Sequence, residues 1–151
     1  MKYFLLLIIA LMTGCFSPER SISNQPEYSQ FIGAQFLATE PFFLTTWGNK
    51  KLLQPEKRSP IETGPTIDEF RRGEWKNDWR GVQYLEILPA GTAFEICDIT
   101  YEFHIEMGHT TRWYMRIQGR DGAANNPPME ILRKPIYTKN ELKIPGMNRI
   151  K

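Results

Sequence analysis

The clearest alternation of apolar and polar residues in the chain is in "AFEICDITYEFHIEMGHTTRWYMRI", from Ala93 to Ile117. Apolar and polar residues alternate along both of its halves, which is the period of a β-strand with one buried face. The apolar side chains occupy odd positions in "YEFHI" and in "TRWYMRI". Because opposite residues of an antiparallel pair share a face, the pattern predicts a hairpin that pairs odd with odd around a loop of odd length, Met107 to His109.

This hairpin register makes two further predictions. Phe103 should lie opposite Trp113 on the apolar face. Upstream, Phe94 and Ile96 are apolar at even positions, so a bulge or a bend near Cys97–Asp98 must switch the parity of the strand.

The same register bears on a metal site. His104, Glu106 and His109 are residue types that bind metal ions, but the register sets Arg112 across from His104 and moves His109 to the loop tip. Ligands must converge in space as well as be present. The sequence therefore predicts a solvated polar face with a loop histidine, and no metal site.

Strand-like runs extend outward from the hairpin. They are rich in aromatic and β-branched residues, and turn residues bound them. The turn "PAGT", Pro89 to Thr92, combines a proline that fixes φ with a glycine that accepts a positive φ. The runs are "AQFLAT" (34–39), "FFLTTW" (42–47), "VQYLEIL" (82–88) and "MEILRK" (129–134). Five or six short strands predict a small antiparallel barrel or sandwich.

Residues 36–133 resemble a bacterial SH3-like barrel. The hydrophobic-Pro-x-Gly-Thr turn at Leu88 to Thr92, which feeds a strand, carries this resemblance. The resemblance implies a mainly β fold, a small antiparallel SH3-like barrel of five to six strands. Two features depart from that family, since the aromatic "GW" element is missing and a long loop of about residues 48–80 is inserted.

The inserted loop contains the candidate binding residues. Thr66 and Glu69 form a capping-box pattern, which predicts a short helix that Gly73 could end. Tryptophan with arginine is enriched at binding hot spots, so the loop could be a recognition element. Alternatively, both tryptophans fold back and plug the end of the barrel. The candidate residues are Trp75, Trp79, Arg71, Arg72 and Arg80.

The N-terminus, "MKYFLLLIIALMTGC", has one cation and then an apolar stretch of about 11 residues, against the ~20 that a membrane-spanning helix needs. A short charged region, an apolar region and small residues before a cleavage point are typical of a secretory signal peptide. The cleavage would fall just before Cys15. An uncleaved anchor and a buried N-terminal helix are the alternatives.

At this point the sequence resembles the bacterial lipoproteins. Thr13 and Gly14 match the two small positions of their lipobox, and Met12 stands where leucine is usual. The resemblance implies that Cys15 carries a diacylglycerol, that residues 1–14 are removed, and that acyl chains such as palmitate hold the protein on the outer side of the membrane. In a Gram-negative cell this would be the outer membrane, facing the periplasm.

Two further segments complete the predicted organisation. Residues 15–30, the lipidated cysteine and a polar stretch with two prolines, predict a flexible tether. Residues 31–151 form the β domain. Cys97 then lacks a partner for an internal disulfide, and its apolar neighbours favour a small buried hydrophobe over a nucleophile.

Charge and motifs limit the function. Nineteen Lys+Arg against 17 Asp+Glu give a net charge of only +2, so a nucleic-acid partner is not expected. No sequence motif indicates a cofactor or a catalytic constellation. The sequence favours a non-enzymatic binding or assembly module of the cell envelope, with an envelope protein or the cell wall as partner. The alternative is an envelope hydrolase of cell wall or glycan that uses an unrecognised carboxylate pair.

Overall fold

The computed structural model describes residues 16–56, 64–75, 81–104, 108–120, 122 and 125–150. This part of the chain is mainly β, with two short helices. The helices are α1 (Pro26–Ser29) and α2 (Ile67–Arg71). The strands are β1 (Phe16–Ser21), β2 (Gln35–Ala38), β3 (Phe42–Trp47), β4 (Lys50–Pro55), β5 (Val82–Leu88), β6 (Ala93–His104), β7 (Gly108–Ile117), β8 (Met129–Ile131), β9 (Ile136–Tyr137), β10 (Leu142–Lys143) and β11 (Met147–Arg149).

Nine of these strands form one sheet in the order β11-β2-β6-β7-β8-β4-β3-β5, with β1 also paired to β6. Strands β9 and β10 form a separate pair. All pairings are antiparallel except β4 with β8, which is parallel. Within the described residues no pairing joins the ends of the sheet, β11 and β5, so the sheet is open. The predicted closed barrel of five to six strands is not what forms.

In the central hairpin β6–β7, the part of β6 that follows the bulge pairs odd positions with odd positions, as predicted. The register, however, differs from the predicted one. Trp113 lies opposite Ile99, four residues earlier in β6 than the predicted Phe103. The last described pair is His104 with Gly108, so the described pairing ends at 104 and 108, where the prediction had 106 and 110. A slip by an even number of residues keeps every side chain on its face, and alternation therefore does not fix the register.

The predicted bulge is confirmed. Pairing shifts between Ile96 and Asp98, and Phe94, Ile96 and Ile99 are all buried although their numbers change parity. Cys97 is the extra residue, and it is half-buried with its Sγ donating to the Tyr114 carbonyl at 3.5 Å.

The segment predicted as a flexible tether is structured from residue 16 onward. Strand β1 pairs with the end of β6, and the Ile22 amide donates to the Ile99 carbonyl at 2.8 Å. Ile22 is buried in the core, and Tyr28 packs against it. Two such residues in a polar segment give no periodicity, yet they help to hold the segment against the sheet, because burying an apolar side chain contributes about 1.5–3 kcal/mol.

The predicted inserted loop also contains regular structure. Gly48 and Asn49 form a tight turn, and residues 50–55 of the loop form β4, which lies between β3 and β8. Leu52 and Leu53 are buried on opposite faces of this strand. A strand covered on both faces lacks alternation, which explains why the sequence pattern did not reveal it.

The core lies on one face of the sheet, around Trp113, which is 1% exposed. Its indole contacts the Phe31 ring at 5.7 Å and the Tyr137 ring at 5.3 Å between centroids. Phe31, which follows α1, and Tyr137, in β9, therefore both cover this face of the sheet.

No helix in the described part of the chain combines the length and the apolar character needed to cross a bilayer.

Candidate functional site

Helix α2 forms where the sequence predicted it. Thr66 Oγ1 accepts from the Glu69 amide at 3.2 Å, and Glu69 Oε2 accepts from the Thr66 amide at 2.7 Å, which completes the capping box. Glu56 Oε1 accepts from the Ile67 amide at 2.9 Å and ties the helix start to the end of β4. Gly73, at φ +68°, follows the helix end as predicted.

Trp75 is half-buried in an aromatic cluster on the sheet face opposite the core. Its ring lies 5.7 Å from Tyr84, Tyr84 lies 5.3 Å from Phe43, and Phe70 of α2 lies 5.4 Å from Phe43. Trp75 Nε1 is buried and meets no acceptor among the described residues. These contacts are those expected if the indole packs inward, the alternative to a recognition loop.

The arginines near Trp75 differ in their contacts. Arg71 is exposed at the end of α2. Arg72 is held by Glu74 in a two-pronged ion pair, with Nε to Oε1 at 2.7 Å and Nη2 to Oε2 at 2.9 Å. An exposed ion pair of this kind contributes little to stability. Trp79 and Arg80 lie outside the described residues, as does Cys15.

A second group of residues, the Glu19 network, was not identified from the sequence. Glu19 Oε1 accepts from Thr100 Oγ1 at 2.6 Å and from Tyr114 Oη at 2.5 Å, and Oε2 accepts from Lys50 Nζ at 3.0 Å. The network joins β1, β6, β7 and β4 across the same face as the aromatic cluster. It became possible only because β1 lies on the sheet.

Hydrogen bonding controls the protonation of this network. Partial burial opposes ionisation of Glu19, but the hydrogen bonds from Thr100, Tyr114 and Lys50 outweigh it and lower the Glu19 pKa from 4.5 to about 2. Burial and the bond to Glu19 raise the pKa of Tyr114 far above its usual range. The pair is therefore a carboxylate and a neutral phenol at every physiological pH.

Beside this network, Arg112 binds two carboxylates, and we call these three residues the Arg112 group. Its Nη2 lies 2.9 Å from Glu102 Oε2, and its Nη1 lies 2.7 Å from Glu130 Oε1. Burial would lower the Arg112 pKa, but the two carboxylates raise it. Glu130 Oε2 is buried without a hydrogen-bond partner in the described structure. One guanidinium thus holds two acidic side chains on β6 and β8.

His109 is placed in β7 rather than in the hairpin loop. Its ring contacts those of Phe103 and Tyr101 in tilted arrangements, with centroids 5.0 and 5.3 Å away, and its Nδ1 contacts the Tyr101 hydroxyl. The side chains of His104 and Glu106 lie outside the described part. In the part that is described, no three acidic, histidine or cysteine side chains converge as metal ligands would.

A cleft of about 590 Å³ lies beside residues 109–113, the first half of β7, next to the end of the short strand β8. Its lining includes two cations, Arg112 and Lys134, the Glu130 carboxylate and the rings of His109 and Tyr137. Mixed charge and aromatic surface in one concavity are typical of a site for a polar ligand or a protein side chain.

Comparison with known proteins adds no assignment. No protein-family model matches the chain, and neither the curated proteins nor the solved structures show a significant similarity to it. The function must therefore be argued from the residues themselves.

Proposed function

We propose that this protein is a lipid-anchored bacterial lipoprotein that acts as a non-enzymatic binding or assembly module of the cell envelope. The anchor rests on Cys15 and the signal-peptide pattern before it. If the cell is Gram-negative, the protein faces the periplasm from the outer membrane. The binding role rests on the site chemistry.

The observation that supports a binding role is that the clustered acidic side chains are bound by hydrogen-bond donors and cations of the protein itself. Glu19 is fixed as an anion by three donors, and Glu102 and Glu130 share Arg112. General acid–base catalysis needs a group whose pKa lies near the operating pH. A Glu19 pKa of about 2 makes this residue a structural acceptor rather than a proton donor.

The anchor is tested by metabolic labelling. Labelled palmitate should enter the wild-type protein, and Cys15→Ser should abolish the label and leave unprocessed precursor. Absence of label from the wild-type protein would refute the anchor.

The binding role is tested by photo-crosslinking in intact envelopes. A crosslinker placed at Lys134, beside the cleft, should give a discrete adduct, whereas one at Ala90, in the turn that precedes β6, should not. A second crosslinker at Arg71, exposed at the end of α2, tests the loop, because an adduct that Trp75→Ala abolishes at unchanged melting temperature supports recognition. A loss of stability of about 3–5 kcal/mol means that Trp75 is a packing residue.

One observation favours the alternative, an envelope hydrolase of cell wall or glycan. Glu102 and Glu130 approach one guanidinium, and the buried Glu130 Oε2 has no partner in the described structure. Solubilisation of purified cell wall by the wild-type protein, lost in Glu130→Gln, would establish this activity. No solubilisation by the wild-type protein supports the binding module.

We propose further that this open sheet is a variant of the SH3-like fold. The turn that carries the resemblance is formed, with the Thr92 amide and Oγ1 both donating to the Pro89 carbonyl at 3.1 and 2.7 Å. It leads directly into β6. An experimental structure whose strand order differs from that of SH3-like domains would refute this relationship.

A further inference from the structure

The end of the sheet where β1 begins is also the end where β6 turns into β7. Phe16 pairs with His104, Ser17 with Phe103, and His104 with Gly108. We call the surface formed by Phe103, His109 and the start of β1 the hairpin end.

The start of β1 fixes the distance between this surface and the proposed anchor. Cys15 directly precedes Phe16, and consecutive Cα atoms are ~3.8 Å apart. A coil of 13 residues would have left the domain roughly 20 Å of freedom. Because residues 16–21 of that segment form a strand paired to the end of β6, the lipidated residue and the hairpin end are adjacent.

The exposed chemistry of the hairpin end suits a lipid interface. Phe103, a large apolar residue, is 36% exposed. The His109 ring contacts the rings of Phe103 and Tyr101. The Tyr101 and His109 rings combine an apolar body with a polar atom, a chemistry that suits the headgroup level of a bilayer, and the Phe103 ring adds apolar surface beside them.

We infer that the hairpin end lies against the lipid headgroups and that the anchor holds the domain in this fixed orientation. The inference rests on the proposed lipidation of Cys15. Strand β6 runs towards this end from the Pro89–Thr92 turn, and its 12 residues place that turn about 36 Å from the hairpin end at ~3.3 Å per step. The far end of the sheet therefore faces the aqueous space.

Hydrogen exchange of the lipidated protein in vesicles of phosphatidylcholine and phosphatidylglycerol tests this orientation. The control is the same protein with a flexible Gly/Ser linker of about 16 residues, which spans roughly 22 Å, inserted between Cys15 and Phe16. Amides of residues 100–110 should exchange about fivefold more slowly without the linker than with it. Amides of residues 89–92 should not differ.

A matched pair of substitutions tests the contact itself. Phe103→Asp should remove the protection, whereas Leu85→Asp, at an equally exposed apolar residue (43%) on β5, should leave it. Mass spectrometry of each preparation reports the lipid separately. A chain without lipid refutes the anchor and this inference together. A lipidated chain whose hairpin end is no better protected than in the linker variant overturns the orientation alone.

Discussion

Glu19 offers the most direct test of the fold, because it lies in the segment that the sequence predicted to be a tether. Replacing it by glutamine keeps the shape and removes the charge that Lys50 Nζ contacts at 3.0 Å. If β1 lies on the sheet, Glu19→Gln should destabilise the domain at neutral pH. If residues 15–30 are a free tether, the substitution should have no effect.

The magnitude follows from the pKa of Glu19. A fall from 4.5 to about 2 on folding corresponds to about 3 kcal/mol. Because Glu19 and Lys50 are partly exposed, solvent screening reduces this to about 1–2 kcal/mol. The folded-state pKa is the lower one, so the stabilisation is complete above pH 4.5 and is lost as pH falls towards 2.

Urea denaturation of both proteins between pH 2 and pH 7 is the assay. The difference in unfolding free energy should be about 1–2 kcal/mol at pH 7 and should vanish near pH 2. The other carboxylates titrate in both proteins and cancel in the difference. Glu27→Gln on the exposed face of α1 is the control, and it should change stability by less than about 0.5 kcal/mol. A Glu19→Gln protein as stable as wild type at pH 7 refutes the docking of β1.

Three further predictions concern the core, the bulge and a close approach. Trp113→Ala should lower the unfolding free energy by about 3–5 kcal/mol, whereas Trp47→Ala, at 59% exposure, should cost under about 0.5 kcal/mol; equal losses in denaturation would contradict the assigned core. Cys97, whose pKa burial raises, should react with a thiol reagent more slowly in native protein than in urea, and equal rates would place it at the surface. Gly146→Ala should lower the melting temperature, because φ is +80° and the new Cβ would overlap the Glu40 carboxylate. An unchanged melting temperature would contradict the close contact between Gly146 and Glu40.

Local chemistry determined several elements from the sequence alone. Strands β3 and β5 occupy the predicted residues, 42–47 and 82–88, because their aromatic and β-branched runs end at turn residues. The capping box at Thr66 formed because its two hydrogen bonds join residues only three apart. The bulge beside Cys97 was predictable, because an apolar face that changes parity requires an extra residue.

Tertiary packing decided what remained. Alternation specifies the face of each side chain but not the register. Ile99, which is buried, lies opposite the buried Trp113, and Phe103, which is exposed, does not. The docking of β1 and the insertion of β4 beside β8 depend on partners far along the chain. The Glu19 network follows from both placements, since Lys50 and Thr100 reach Glu19 only after these strands are in position. No local pattern encodes such contacts, because the free energy that fixes them comes from burial against the assembled sheet.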